Sequence, residues 1–190
     1  MSMTLALTQY TPADLLSMSD ANRFELVDGQ LVERNMSAQS SWVGARLVHF
    51  LWNHCESHPD GDVFQADCSY QCFPDAPDKV RRPDGSYIQR GRLSKEQFEH
   101  GHVRIAPDLA IEVVSPNDLA YEVDEKVEEY LRAGVRLVWV VNPETRIVEV
   151  HRADGTVSKF HEHETISGED VIAGFSCKIA DLFQPAAHVQ

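Results

Sequence analysis

An α/β fold is predicted for this chain, and three consecutive stretches predict it. Residues 109–114 and 135–141 (VRLVWVV) are short apolar runs rich in β-branched residues. Each is closed by a turn signal, Ser115-Pro116-Asn117-Asp118 after the first and Asn142-Pro143 after the second. Runs of that length between breakers read as buried strands. Between them, residues 119–133 have a helical period. At about 100° per residue, Leu119, Val123, Val127, Tyr130 and Leu131 share one face. Asn117 or Asp118 is placed to cap the helix, and Gly134 to end it in a left-handed conformation. Strand, helix and strand in this space form a right-handed βαβ unit whose strands are parallel and covered on both faces.

The flanking elements follow from local signals. Thr11-Pro12 opens a short helix. Residues 24–33 (FELVDGQLVE) read as a hairpin about Asp28-Gly29, the dipeptide that favours a type I′ turn. Residues 40–55 form an amphipathic helix with Val43, Leu47, Phe50, Leu51 and His54 near one face. A strand over 63–73, a loop over 73–78, a strand over 82–88 and a polar loop with a short helix over 89–106 come next. Residues 146–151 and 156–160 form a late hairpin about Asp154-Gly155, and residues 175–183 pack the C-terminal end. One domain over residues 1–190 is expected.

Composition narrows the function. With 43% hydrophobic and 25% charged residues the chain is an ordinary globular protein. No apolar run approaches the roughly 20 residues that cross a bilayer, and the opening residues lack a basic n-region. A cytoplasmic protein without a membrane partner is expected. Cys55, Cys68, Cys72 and Cys177 show no CxxC pair and read as reduced thiols. The pairs His54/His58 and His161/His163 fit no zinc pattern. The net charge of −13 repels nucleic acid globally. Locally it does not hold, because residues 79–95 carry Lys79, Arg81, Arg82, Arg90, Arg92 and Lys95 against Asp84 alone.

Three groups carry the candidate chemistry. Glu112 lies in an apolar strand, where a carboxylate is costly to desolvate unless paired or bound to a cation. Asp84 follows Pro83 in the basic stretch, and Lys126 lies at the inner edge of the crossover helix. Two carboxylates and a lysine can perform metal-assisted phosphodiester hydrolysis. Asp84 and Glu112 would hold Mg²⁺ or Mn²⁺, with the Val113 carbonyl as a further ligand. Lys126 would orient or deprotonate the attacking water, or stabilise charge on the phosphate. Arg81, Arg82, Arg90 and Arg92 are the candidate nucleic-acid contacts, although Arg81 and Arg82 could instead neutralise Asp75 and Asp78. The plain structural alternative is that Lys126 only pairs with Glu112, and that Asp84 is a turn residue. Asp108 reads equally well as a local turn residue or as part of the site.

The strings PDGSYI, APDLAIEVVSPND, EKVEEYLRAGVRLVWVVNPETRIVEV and VIAGFSCKIADLF, with the early FELVDGQLVE, resemble the Uma2 family (DUF820). That family is a branch of the PD-(D/E)xK nuclease superfamily, and the resemblance runs in order from residue 10 to residue 183. It implies a restriction-endonuclease-like αβββαβ core, a central mixed sheet flanked by helices. It also implies a metal-dependent endonuclease acting on DNA, with Asp84 and Glu112 as the motif acids and Glu25 as the early acidic residue. Two departures stand out. Val114 occupies the motif lysine position, which the resemblance moves to Lys126, and Gly85 replaces an apolar residue after the Pro-Asp. A catalytically silent binding or assembly module and an RNA-directed nuclease are the alternatives. Cutting both strands of a duplex would make a homodimer the simplest assembly.

Overall fold

The computed structural model describes residues 8–183. Residues 1–7, the first part of the stretch read above for an export signal, and residues 184–190 lie outside the described residues. Helix α1 (Pro12–Ser17) starts at Thr11, whose side chain accepts from the Asp14 N–H in a capping box. The hairpin follows as β1 (Phe24–Val27) and β2 (Gln30–Glu33). Asp28 and Gly29 hold φ of 49° and 74° between them, the left-handed pair a type I′ turn needs. This hairpin is a separate two-stranded sheet, joined to the remainder by a bridge between Leu26 and Val80. Helix α2 (Ala38–Ser57) is capped by Ser37.

A central sheet of six strands takes up most of the remaining chain. Its members are β3 (Gly61–Gln65), β4 (Gly85–Gln89), β5 (Leu109–Val113), β6 (Leu137–Asn142), β7 (Ile147–Arg152) and β8 (Val157–His161), adjacent in that order. Helix α3 (Lys95–Glu99) interrupts the loop between β4 and β5. Only β5 and β6 are parallel, with Leu109 opposite Leu137 and Glu112 opposite Val140. The other neighbours are antiparallel. Crossover helix α4 (Ala120–Arg132) joins the parallel pair, so α2-β3-β4-β5-α4-β6 is the expected αβββαβ core around a mixed sheet. The short strands β9 (Thr165–Ser167) and β10 (Ser176–Lys178) pair with each other, and α5 (Ile179–Phe183) follows. No helix among the described residues is long and apolar enough to cross a membrane.

Alternation along β5 divides the core. Ile111 and Val113 face α2 and pack with Val43, Leu47, Leu51 and Trp139. Ala110 and Glu112 face the opposite side, where Val127 and Tyr130 of α4 pack with Val138 and Val140. Each buried Val, Leu or Ile side chain among these contributes on the order of 1.5–3 kcal/mol.

Several boundaries differ from the sequence expectation, each for a local reason. The strand expected over 63–73 stops at Gln65, where the Cys68 N–H returns to the Gln65 carbonyl, and Tyr70 makes only isolated bridges to Arg81 and Val103. Helix α4 is preceded by Leu119 rather than capped by Asn117 or Asp118, because the Asp118 carboxylate accepts the Ser115 N–H at 2.7 Å. Leu119 is half exposed instead of on the apolar face. Gly134 ends the helix at φ 98° as expected. Gly85 does not loosen β4: it pairs with Ile111. A Cβ built there would lie 3.1 Å from Val48 and 3.3 Å from Ile111, which fill its space.

His102 fastens α1 to this framework. Its Nε2 lies 3.0 Å from the Pro12 carbonyl, which can only accept, so Nε2 donates, and Nδ1 lies 2.8 Å from the Ser69 hydroxyl. Burial lowers its pKa below the ordinary 6.5, which favours the neutral ring, with Nδ1 accepting from Ser69. The unfolded chain takes up the proton first as pH falls, so this group's stability is present above about 6.5 and lost below it. Tm is expected to fall between about pH 7.5 and about pH 5.5, and to fall less in His102→Gln. An unchanged pH slope in that variant would show that other groups set it.

Candidate active site

The topology brings the two candidate acids together at one edge of the sheet. Antiparallel pairing of β4 with β5 places the residue before β4 beside the end of β5. The Asp84 N–H bonds the Ile111 carbonyl, and Asp84 Oδ2 accepts the Val113 N–H at 2.8 Å. Asp84 Oδ1 is 3.1 Å from the Arg34 guanidinium, which arrives from the end of the hairpin. In a strand the N–H and C=O of one residue point to the same neighbour. The Val113 carbonyl is therefore directed to the edge where Asp84 lies.

Glu112 points towards α4. Its Oε1 accepts from the Tyr130 hydroxyl at 2.8 Å, and its Oε2 is 3.1 Å from Lys126 Nζ. Lys126 is also 3.6 Å from Glu25 Oε2. Glu25 is buried on β1, with Oε1 accepting the Arg82 N–H at 2.8 Å and Oε2 3.0 Å from Arg81. Glu25, Asp84, Glu112 and Lys126 thus line one cavity of about 240 Å³. Its rim is acidic, with Glu33, Asp118, Glu122 and Glu125.

The electrostatics sort these groups. Burial pushes Glu112 up to about 7, and the Asp84 and Glu25 carboxylates add to the rise against the pull of Lys126. Burial also raises Asp84 above the usual carboxylate range, despite the Val113 N–H and Arg34. Burial opposes ionisation of Glu25 as well, but Lys126 and Arg81 outweigh it and hold its pKa below the usual value. For Lys126 burial works against the ammonium, while Glu112 and then Glu25 outweigh it and raise its pKa. Lys126 so placed is a cation and hydrogen-bond donor, not a base.

The basic stretch around Asp84 does not reach for solvent as expected. Arg81 and Arg82 are each 5% exposed. Arg81 lies between Glu25 and Glu129, at 3.0 and 2.8 Å, and Lys79 also pairs with Glu129. Arg82 donates to the carbonyls of Phe24 and Asp67. Arg81 is turned inward because it neutralises carboxylates that folding buries, and Arg82 because it satisfies backbone carbonyls; neither pairs with Asp75 or Asp78. Arg90 and Arg92 follow the far end of β4, roughly 20 Å of strand from Asp84. Arg92 pairs with the buried Asp108 at 2.5 Å, and the Gln89 N–H donates to the same carboxylate, which gives Asp108 its local turn role.

Three participants were not read from the sequence. Glu129 lies three residues after Lys126 and so on the same face, a signal that helical spacing does carry. The Tyr130 hydroxyl was hidden by its place in an apolar stripe. For Arg34 no sequence pattern pointed to the site.

A model of the Uma2 family, described as "Putative restriction endonuclease", matches residues 9–180. The chain belongs to the Uma2 family. Among solved structures, this Uma2 protein is similar to one described as a "putative nuclease belonging to DUF820" from Anabaena variabilis ATCC 29413. The TM-score is 0.76 at 21% identity, covering 91% of this chain and 97% of that one, a likeness that speaks for the fold. No curated protein matches the chain.

The donor set of this Uma2 site suits a hard divalent cation, which takes carboxylate and carbonyl oxygens and keeps several waters. The Asp84 carboxylate raises the Glu112 pKa across the cavity, a repulsion that such a cation would relieve. Among the described residues no three His, Cys, Asp or Glu side chains converge as ligands, so the protein's share would be two carboxylates and the strand carbonyl.

Proposed function

We propose that this protein is a Mg²⁺- or Mn²⁺-dependent endonuclease that hydrolyses DNA phosphodiester bonds. The observation that carries the reading is the convergence of Asp84, Glu112 and Lys126 at one cavity, with a helix lysine reaching the acid whose strand lacks one at Val114. Asp84, Glu112 and the Val113 carbonyl are the residues that would hold the cation. When bound, it would polarise a phosphate oxygen and lower the pKa of a bound water. Lys126 supplies a fixed positive charge beside Glu112, where it orients a water and stabilises charge developing on the phosphate. Glu25 would position Lys126 through the 3.6 Å contact.

A catalytically silent module with the same fold is the second reading, favoured by the commitment of Asp84 Oδ1 to Arg34. Incubation of supercoiled DNA and of RNA with Mg²⁺ or Mn²⁺, with chelator as control, separates the two. Metal-dependent nicking of DNA supports the nuclease, and uncut substrates with both cations overturn it. Cutting confined to RNA would correct the substrate. Glu112 must ionise to hold a cation, and with its pKa near 7 the proton competes below that value. Calorimetric Mn²⁺ affinity is therefore expected to fall by about fivefold between pH 7 and pH 6, and a flat profile would remove Glu112 from the ligand set.

A further inference from the structure

Two cavities meet at Arg34. The first is the acidic cavity. The second, of about 420 Å³, lies against α2 and is lined by Gly44, His49, Trp52 and Asp67 among others. Arg34 and Asp84 belong to both linings, so their ion pair forms the partition between them. The Arg34 side chain is only 9% exposed, so its orientation is set by the protein.

Its commitments are few. One terminal nitrogen reaches Asp84 at 3.1 Å, and the other makes a long contact of 3.4 Å with the Asn22 carbonyl. A guanidinium carries five N–H donors in a planar fork that matches phosphate. The remaining donors have no protein partner among the described residues. The other cations of the site are held more fully. Arg81 is clasped by Glu25 and Glu129, and Lys126 by Glu112 and Glu25. Arg34 has a single carboxylate.

Charge balance gives this difference a consequence. Glu25, Asp84, Glu112 and Glu129 face Arg34, Lys79, Arg81 and Lys126, so with every carboxylate ionised the cluster is neutral. A neutral cluster behind an acidic rim offers a phosphodiester no net attraction. A divalent cation on Asp84 and Glu112 would make the cluster positive, and Arg34 is the cation that such an ion would set free.

We propose that Arg34 is a phosphate-binding residue of this site. It serves as the counter-ion of Asp84 until a divalent cation takes that place, and then turns its fork to the substrate phosphate. The proposal rests on the nuclease reading above and adds the device by which an acidic protein admits DNA only after its cation.

The test is Mn²⁺ calorimetry on the wild type, Arg34→Gln and Arg34→Lys. It is paired with fluorescence anisotropy of a labelled, phosphorothioate-protected DNA duplex in Mn²⁺, and circular dichroism checks that each variant is folded. Arg34→Gln is expected to bind Mn²⁺ about tenfold tighter, because its competitor is gone, and the duplex at least about tenfold weaker, for want of a charge-assisted bond. Arg34→Lys keeps the charge without the fork and is expected near wild type for Mn²⁺ but intermediate for DNA. Weaker or unchanged Mn²⁺ binding in Arg34→Gln, with wild type binding normally, would reduce Arg34 to a support for Asp84 and overturn the proposal. Unchanged duplex affinity would also overturn it. Absence of Mn²⁺ binding from wild type and variants alike would overturn the nuclease reading itself, and this proposal with it. If Arg34→Gln is unfolded, Arg34→Lys decides, and wild-type duplex affinity there sinks the phosphate role.

Discussion

Lys126→Ala is expected to lower the cleavage rate by about a thousandfold while Mn²⁺ still binds. The split follows from where the side chain ends. Its ammonium is 3.1 Å from Glu112 and 3.6 Å from Glu25, so it supports charge beside the carboxylates without being a ligand. Its pKa is raised, so what alanine removes is a positive charge and three N–H donors rather than a base. Asp84→Ala, by contrast, is expected to lose both Mn²⁺ binding and cleavage, because it removes a ligand. Comparing the variants by calorimetry and single-turnover cleavage checks both roles. If Lys126→Ala cuts DNA at the wild-type rate, the helix lysine has not replaced the one missing at Val114. Loss of Mn²⁺ binding in that variant would instead make Lys126 an organiser of the carboxylates.

Arg81→Ala carries the largest expected cost to stability. The guanidinium sits between Glu25 and Glu129, whose side chains are 2% and 4% exposed, and its removal leaves buried carboxylates short of a partner. Breaking a buried ion pair from one side costs about 3–5 kcal/mol. For a chain of this size that lowers Tm by roughly 10 °C. Arg81→Ala combined with Glu129→Gln should recover part of the loss, since Lys126 remains beside Glu25. Thermal melts of the single and double variants measure the coupling. A Tm within a degree or so of wild type for Arg81→Ala would mean that water replaces the guanidinium without penalty.

Much of the fold was legible because its signals are local. The runs around Ile111 and Trp139, the helical stripe of Val127 and Tyr130, and the Asp28-Gly29 turn each announce their element within a few residues. Glu112 and Lys126 were legible for a related reason: one is a charge in an apolar strand, the other a charge beside an apolar stripe, and only 14 positions separate them. Arg34, in contrast, meets Asp84 across 50 positions, and no local period reports such a pair. The basic segment misled because charge density along a sequence does not say which way side chains face. Arg81 answers Glu25 and Glu129, 56 and 48 positions away and buried with it, and Arg82 answers the carbonyls of Phe24 and Asp67.

The hairpin of β1 and β2 is fastened to the site differently from the two acids. It supplies Glu25 and leads directly into Arg34, yet among the described residues it shares no ladder with the central sheet, and its bridge from Leu26 reaches Val80, outside that sheet. Asp84 and Glu112 are fixed by the register of β4 on β5, where a one-residue slip would turn every core side chain outward. Substitutions near those acids therefore disturb the sheet as well as the site. The hairpin is tied in by other means, the buried Leu26 and side-chain pairs. Glu25 reaches Arg81 and Lys126, and the following Arg34 reaches Asp84, so the two halves of the site are joined by charge rather than by strand pairing.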